Sequence, residues 1–324
     1  MASTQYGGVA YGAAARAALG EVCDVTFEVL APRRIRWRPA KPLEMLVNMY
    51  AGRSRGDYVI KDDMVLAALA PERSARTVAV IYHIDESTTE WPYRPVEVLL
   101  NRIAARRLRR ARAVIAISRY WHDALSDLGL ANVHVIYPGF DLEEFAISDD
   151  AVRAFRETYG LGSRPIVYIG NCQRAKGVVE VYEALKDLDV ELVTSGSRQV
   201  TLPARHLDLP RADYLRLLRA SDVAITMSRF KEGWCMTAHE AMLLGVPVIG
   251  SGRGGMRELL EGGAQTVCPT VEGLRDVVRA LLADPGARRE QGARGRAYAR
   301  QFTRARFNEA WQAVALRALA GGAG

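Results

Sequence analysis

SRFKEGWCMTAHEAMLLGVPVIGSGRGGMREL, residues 228–259, sets a strand end, a helix and a second strand in immediate succession. It follows DVAITMS (222–228) and contains VPVIGS (246–251), both short apolar runs of the kind buried on two faces of a parallel sheet. Residues 236–244 between them carry helical spacing. Strand, helix and strand in that order describe a crossover unit with parallel strands. Two carboxylates bracket the helix start: Glu232 lies just before it and Glu240 a little more than two turns along. Eight residues at about 100° each put the pair roughly 80° apart in helical phase, so both can reach one elongated ligand. An acid ahead of a helix is commonly only a cap. Here residues 234–237 also offer N–H groups at the positive helix end, which suits an anion such as a diphosphate. A buried Glu240 needs a hydroxyl or a cation beside it.

The same alternation runs outward in both directions. CDVTFEVL (23–30), DYVI (57–60), TVAVIYHI (77–84), AVIAIS (113–118) and VHVIYPG (133–139) read as one strand series. PIVYIG (165–170), VELVTSG (190–196), residues 222–228, residues 246–251 and QTVCPT (265–270) read as a second. Helical patterns fill the gaps, among them 12–19, 96–110, 118–128, 150–159, 178–188, 212–220 and 271–282. The fold class expected is α/β, with two doubly wound Rossmann-like domains facing a central cleft. The series breaks between residues 140 and 163. The domains expected are 1–145, 146–302 and a terminal segment, 303–324, that ends in a disordered Ala/Gly tail.

Composition narrows the class. The chain has 324 residues, 49% hydrophobic and 25% charged, values of a globular protein with two cores. Four scattered cysteines with no metal-ligand spacing predict free thiols in a reducing cytoplasm. No run of about 18 apolar residues predicts a membrane span, and no signal peptide is expected. The net charge of +7 is concentrated in YRPVEVLLNRIAARRLRRARAVIAIS (93–118), where Arg94, Arg102, Arg106, Arg107, Arg109, Arg110 and Arg112 accompany the single acid Glu97. Such a helix, 94–112, can lie peripherally on the inner face of an anionic membrane. The plainer reading is a solvated helix packed through Leu99, Leu100, Ile103 and Leu108. No nucleic-acid motif accompanies the charge, so nucleic acid is not expected as a partner.

Taken together, Glu232-Gly233-Trp234, Glu240-Ala241-Met242, Gly245-Val246-Pro247-Val248, Gly254-Gly255 and Glu258 resemble the E-x7-E signature of the retaining glycosyltransferases of family 4, which have the GT-B fold. The resemblance covers nearly the whole chain. NVHVIYPGFDLEEF resembles that family's domain junction, PIVYIGNCQRAKGV its phosphate loop, and QYGGVAYGAAARAAL its N-terminal Gly-Gly loop. ADPGARREQGARGRAYARQFTRARFNEAW resembles its C-terminal helices, the last of which returns to the N-terminal domain.

The resemblance implies transfer of a sugar from a nucleotide-diphosphate donor to an acceptor hydroxyl on a glycan, a lipid-linked molecule or a small alcohol. It implies no cofactor and no metal. Glu232 and His83 would serve catalysis at the donor sugar. Gly7, Gly8, Arg174, Lys176 and the N–H groups of Trp234, Cys235 and Met236 would meet the phosphates and sugar. Glu240 would hold the ribose, and the base would sit near His206 and Leu207. The chain departs from the family pattern at Asn171, where an arginine is usual, and at Cys235, where a glycine is usual. Only residues 1–6 precede the Gly-Gly loop, so the first strand is expected to be short or missing. Three other readings stand beside this one: a nucleotide-sugar-binding GT-B protein without transfer, a sugar-nucleotide epimerase, and a nicotinamide-dependent oxidoreductase. The last rests on GSGRGG (250–255), a G-x-G-x-x-G string after a strand.

Overall fold

The computed structural model describes residues 7–27, 44, 47–48, 57–61, 67–68, 74–84 and 94–320. The chain divides into two compact units, Met1–Gly7 with Gly139–Arg304, and Gly8–Pro138 with Ala305–Gly324.

The Gly139–Arg304 unit is built on six parallel strands: β5 (Ile166–Asn171), β6 (Glu191–Ser195), β7 (Arg205–Leu207), β8 (Val223–Thr226), β9 (Val248–Gly250) and β10 (Thr266–Val267). Their spatial order is β10-β9-β8-β5-β6-β7. From β5 the chain winds outward through β6 to β7, then returns to the other side of β5 and winds outward again. The reversal falls between β5 and β8, which pair directly, Val167 against Val223 and Tyr168 against Ala224. Ligands of doubly wound sheets bind beyond the carboxyl ends of the strands at such a switch point.

The helices of this unit are α4 (Asp149–Thr158), α5 (Val178–Leu185), α6 (Arg211–Ala220), α7 (Met236–Leu243), α8 (Gly255–Gly262), α9 (Leu274–Ala283) and α10 (Pro285–Ala299). Val167, Ile169, Val223, Ile225 and Ile249 of the sheet share one core with Val178, Val181 and Leu185 of α5 and Leu274, Val278 and Leu281 of α9. Ser148 caps α4 by accepting from the Ala151 N–H, and Asp284 caps α10 by accepting from the Ala287 N–H, with Pro285 at the first helical position.

The second unit carries β1 (Val59–Lys61), β2 (Thr77–Ile81), β3 (Ala113–Ala116) and β4 (Val133–Val135), parallel and in sequential order. Its described helices include α1 (Gly7–Gly20), which starts one residue before the division, α2 (Arg94–Leu108), α3 (Arg119–Asp127) and α11 (Arg304–Ala320), whose first residue is the last of the Gly139–Arg304 unit. Tyr11 of α1 sets its ring edge-on against Phe307 and Trp311 of α11, at 5.1 and 6.2 Å between centroids. That cluster is why the last helix groups with this unit.

Three expectations are corrected. Residues 23–27 form no strand, and Val25 and Phe27 are exposed; the rest of the 23–30 run lies outside the described residues. Gly7 and Gly8 open α1 rather than forming a loop, and the Gly8 carbonyl accepts the Tyr82 hydroxyl. The α2 helix does not pack through its leucine side. Asn101, Ala104, Ala105 and Leu108 are its buried stripe, leaving Leu99, Leu100 and Ile103 exposed. The alanines let the helix sit close to the sheet, which the bulkier residues would not. Strand β7 was absent from the sequence reading because RHL is short and only half-buried. Residues 1–6, on which the short first strand was expected, lie outside the described residues.

Candidate active site

The two strands at the switch point each deliver one half of a charged pair. Beyond β5, which ends at Asn171, the chain passes Cys172 and Gln173 into a short 3-10 turn, Arg174–Lys176. Gly177 follows with φ +72°, and a Cβ there would lie 2.2 Å from the Met227 carbonyl oxygen, so this crossing requires glycine. Beyond β8 the segment runs through Ser228 to Glu232, and the Arg229 N–H binds the Ala175 carbonyl at 2.9 Å. Lys176 Nζ thereby reaches Glu232 Oε1 at 2.7 Å. The Ser228 hydroxyl donates to the same oxygen. The ammonium also lies 4.7 Å from the centre of the Phe230 ring. Burial works to lower the Lys176 pKa, but the Glu232 charge outweighs it and the net shift is upward. Lys176 is therefore a cation throughout the physiological range.

Glu232 itself is 6% exposed. Its peptide is held by the Arg253 carbonyl and the Gly255 N–H, at 3.2 and 2.8 Å. Gly254 sits against it with φ +66°, and a Cβ there would lie 2.4 Å from the Glu232 carbonyl oxygen. The glycine string 250–255 is accounted for by this contact: it braces the Glu232 loop. That removes the structural ground for reading it as a dinucleotide fingerprint.

Glu240, 5% exposed, lies on α7 within a second cluster. Arg211 Nη1 donates to Oε1 at 2.5 Å, and the Tyr214 hydroxyl donates to Oε2 at 3.0 Å. Both partners come from α6, with Arg211 its first residue, and Arg211 also pairs with Glu144 at 3.3 Å. The buried carboxylate thus has both the cation and the hydroxyl that its burial demanded. Burial opposes the charge on Arg211, and Glu240 more than restores it. Burial and the Glu240 charge push the Tyr214 phenol well up. Tyr168, beside this cluster, shares its hydroxyl with Ser195 and Asn171 at 2.9 and 2.8 Å.

The remaining candidates fall in several places. Cys235 is the N-cap residue of α7 and supplies no side-chain cap, so the N–H groups of Met236 and Thr237 keep their terminal positions. Burial and then the Glu232 charge push the Cys235 thiol up to about 12, so it is a neutral space-filler. The Trp234 side chain turns into the core: its indole N–H donates to His239 Nδ1 at 3.0 Å. His239 Nε2 in turn donates to the Ala299 carbonyl at 3.1 Å, and its ring stacks on Phe140 at 4.1 Å. Burial pushes that imidazole down to about 3. Arg174 is exposed on the 3-10 turn. His206 and Leu207 lie on β7 at the sheet edge, and His206 Nδ1 is buried without a hydrogen-bond partner. Gly7, Gly8 and His83 lie at the start of α1 and just past β2, and the His83 side chain is exposed. Among the described residues no group of three or more His, Cys, Asp or Glu is placed to hold a metal.

Arg211, Tyr214, Ser228 and Phe230 were missed in the sequence. Ser228 and Phe230 stood inside the opening stretch with no signal to distinguish them from loop residues. The burial argument for Glu240 announced that a partner existed, but nothing local identified one on another helix.

Residues 155–298 match the model for glycosyl transferases group 1, and residues 26–144 match that for glycosyltransferase family 4. The α-(1-6)-phosphatidylinositol monomannoside mannosyltransferase of Mycolicibacterium smegmatis, named as GDP-mannose-dependent, is 28% identical over 72% of this chain and 68% of its own length. A D-inositol 3-phosphate glycosyltransferase of Xylanimonas cellulosilytica is 32% identical over 53% of this chain and 48% of its own. The chain thus spans two thirds of the first of these relatives and about half of the second. Among solved structures, Anabaena Alr3699/HepE in complex with UDP-glucose superposes with a TM-score of 0.76 at 20% identity, over 97% of this chain and 96% of that one. WaaG, a glycosyltransferase involved in lipopolysaccharide biosynthesis, gives 0.73 at 14% identity over 96% and 95%. These last two likenesses establish the fold.

The protein is therefore a glycosyltransferase of the GT-B class. Within that class, the two family models and the relatives place it among the family-4-like enzymes.

Proposed function

We propose that the chain transfers a sugar, with retention of anomeric configuration and without a metal ion, from a nucleotide-diphosphate sugar to an acceptor hydroxyl. Glycosyl transfer from a nucleotide-activated donor is the activity of the family to which it belongs. The observation that carries the finer reading is the Lys176–Glu232 pair at the carboxyl ends of β5 and β8. Breaking a sugar–diphosphate bond puts negative charge on the leaving phosphate and positive charge on the sugar ring. Lys176, Arg174 and the first N–H groups of α7 offer the phosphate cations and donors, the role a divalent metal would otherwise take. Glu232 offers the ring a carboxylate. In the free protein each neutralises the other; arriving phosphates take up Lys176 and release Glu232 toward the sugar. Front-side attack, with the leaving phosphate accepting the acceptor's proton, gives retention.

Glu240 would accept from the ribose hydroxyls through lone pairs that Arg211 and Tyr214 leave open. The unpaired His206 Nδ1 supports a base contact near β7. For His83 and for Gly7 and Gly8 we keep the catalytic and phosphate-binding roles that the family resemblance implies. The acceptor class is supported by the relatives' names, which include a lipid-linked and a small-molecule alcohol. No helix among the described residues is long and apolar enough to cross a membrane. Peripheral contact with an anionic membrane is supported by α2, whose exposed Leu99, Leu100 and Ile103 accompany exposed Arg102 and Arg106.

A thermal-shift screen across UDP-, GDP-, ADP- and dTDP-sugars tests the reading, since a bound donor raises the melting temperature by linkage. One class should stabilise the protein and be consumed when an acceptor alcohol is added, with the product's anomeric configuration unchanged. Donor binding without turnover under any acceptor would leave a sugar-nucleotide-binding protein instead. An altered sugar released with no acceptor would make it an epimerase.

A further inference from the structure

The two oxygens of the Glu240 carboxylate are held separately, Oε1 by Arg211 at 2.5 Å and Oε2 by the Tyr214 hydroxyl at 3.0 Å. Both donors stand on α6, three residues apart, so one face of that helix fixes both oxygens. The donors are themselves held. Arg211 divides its guanidinium between Glu240 and Glu144, which it reaches through Nη2 at 3.3 Å from the 3-10 turn Leu142–Phe145. The Tyr214 ring meets Tyr168 edge-on at 6.3 Å between centroids. The Thr237 hydroxyl lies 3.3 Å from the phenol oxygen. Thr237 precedes Glu240 by three residues on α7, so the two share a face.

This is more than a counter-charge requires. One cation would neutralise the acid, and a carboxylate held through one oxygen could still turn about its last bond. Donors on both oxygens stop that rotation. Burial, then the Glu240 charge, keep the Tyr214 phenol protonated, so its one proton goes to Glu240, the nearer acceptor. An ionised carboxylate has about four lone-pair sites, so two donors leave about one on each oxygen. Two acceptor sites at a fixed spacing match a pair of neighbouring hydroxyls better than a single one.

We propose that Arg211 and Tyr214 are positioning residues that set Glu240 to accept from both hydroxyls of a ribose 2′,3′-diol, so that the enzyme selects ribonucleotide donors over 2′-deoxyribonucleotide ones. This rests on the reading that Glu240 binds the ribose. The selection is then made by two residues of α6 that act through Glu240 rather than on the nucleotide. A 2′-deoxy donor leaves one oxygen of a fixed, buried carboxylate without its hydroxyl, and that loss cannot be relieved by rotation. Sugars carried on dTDP are accordingly poor donors.

Calorimetry of the full chain with UDP, GDP and ADP, each beside its 2′-deoxy counterpart, measures the selection as a ratio of affinities. For the base it binds best, wild type should favour the ribo form about tenfold or more, the scale of one hydrogen bond to a charged acceptor. Glu240→Gln should remove most of that ratio. Tyr214→Phe and Arg211→Gln should each lower it several-fold with the 2′-deoxy affinity nearly unchanged, and Arg211→Lys should retain more of it than Arg211→Gln. If Arg211→Gln does not fold, as judged by thermal unfolding, Tyr214→Phe decides alone. Should Glu240→Gln remove the ratio while the α6 variants leave it standing, the ribose reading holds and the positioning role is overturned. Should none of the three diphosphates bind, or wild type show no preference, or the preference survive Glu240→Gln, the ribose reading falls and the positioning role with it.

Discussion

The two units handle charge in opposite ways. In Gly139–Arg304 the important acids point inward and are matched: Glu232 by Lys176 and Ser228, Glu240 by Arg211 and Tyr214. In Gly8–Pro138 the basic residues of α2 point outward, while alanines and a leucine make the buried contact. Buried ion pairs are weak contributors to stability, because desolvation consumes most of the attraction. A fold that keeps two of them in one unit, one on the loops beyond its strands and one between its helices, is holding preorganised groups for a ligand of defined shape. An outward cationic face needs no such shape and suits a partner defined by charge alone. If this contrast is right, substitutions in the first unit should be sharply position-dependent, and those on α2 should be graded and salt-sensitive.

The largest break should come from Glu232→Gln. It keeps the shape and the Ser228 contact but removes the charge that faces both Lys176 and, in our reading, the sugar. Turnover should fall about 10²–10³-fold, the usual scale for loss of one group aimed at transition-state charge. Donor affinity should change far less. Equal losses in affinity and turnover, measured by calorimetry and initial rates, would place Glu232 in ground-state binding only. Next in size is Lys176→Ala. A charged hydrogen bond to phosphate is worth about 1.5–3 kcal/mol, so nucleoside diphosphate should bind roughly ten- to a hundredfold more weakly. The parent nucleoside should bind with nearly unchanged affinity. Loss of both together would contradict a diphosphate role.

A third test concerns the mainstay of the first unit rather than its site. His239 is buried and neutral, pushed down to about 3 by burial, against about 6.5 in an unfolded chain. The unfolded state therefore binds a proton below pH 6.5 that the folded state refuses. Stability from this group is full above that value and is lost progressively as pH falls toward 3. Between pH 7 and pH 5 the loss should be about 2 kcal/mol. Urea denaturation at the two pH values measures it, and His239→Phe should flatten that slope even though the variant is less stable overall. An unchanged slope would mean that His239 is protonated in the fold.

The contrast also governs what was legible beforehand. The Gly139–Arg304 unit announced itself because its site is made by local chemistry: Lys176-Gly177 at one strand end, Glu232-Gly233 at another, and glycines whose positive φ or close approach no other residue tolerates. The partners of Glu240 did not, since Arg211 and Tyr214 are ordinary helical residues brought in by tertiary packing. In the other unit, alternation marked β1 to β4, but 23–27 carried strand composition without strand structure. Its β-branched residues describe what fits a half-buried sheet, and these residues are exposed. Helix α2 was visible as a helix, and its buried side was misjudged, because the larger apolar residues were weighed above Ala104 and Ala105.

The smallest expected effect is on that helix, and it is the one that tests the outward half of the comparison. Arg107 is a poor choice for it, since its guanidinium also binds the Ala68 carbonyl at 3.3 Å. Arg106 is exposed on the side of Ile103 and Leu99, three and seven residues away, so it shares their face. If that face meets anionic lipid, Arg106→Gln should remove about 1 kcal/mol, some fivefold in partition to phosphatidylserine vesicles. The loss should shrink as salt rises, because the attraction acts within a Debye length of the surface. Ile103→Ser should weaken the same binding at every salt concentration, since it removes apolar contact rather than charge. Sedimentation of both variants with anionic and neutral vesicles separates the two contributions. Equal sedimentation of wild type and Arg106→Gln with anionic vesicles at low salt would leave α2 as a solvated helix whose exposed leucines have no lipid partner.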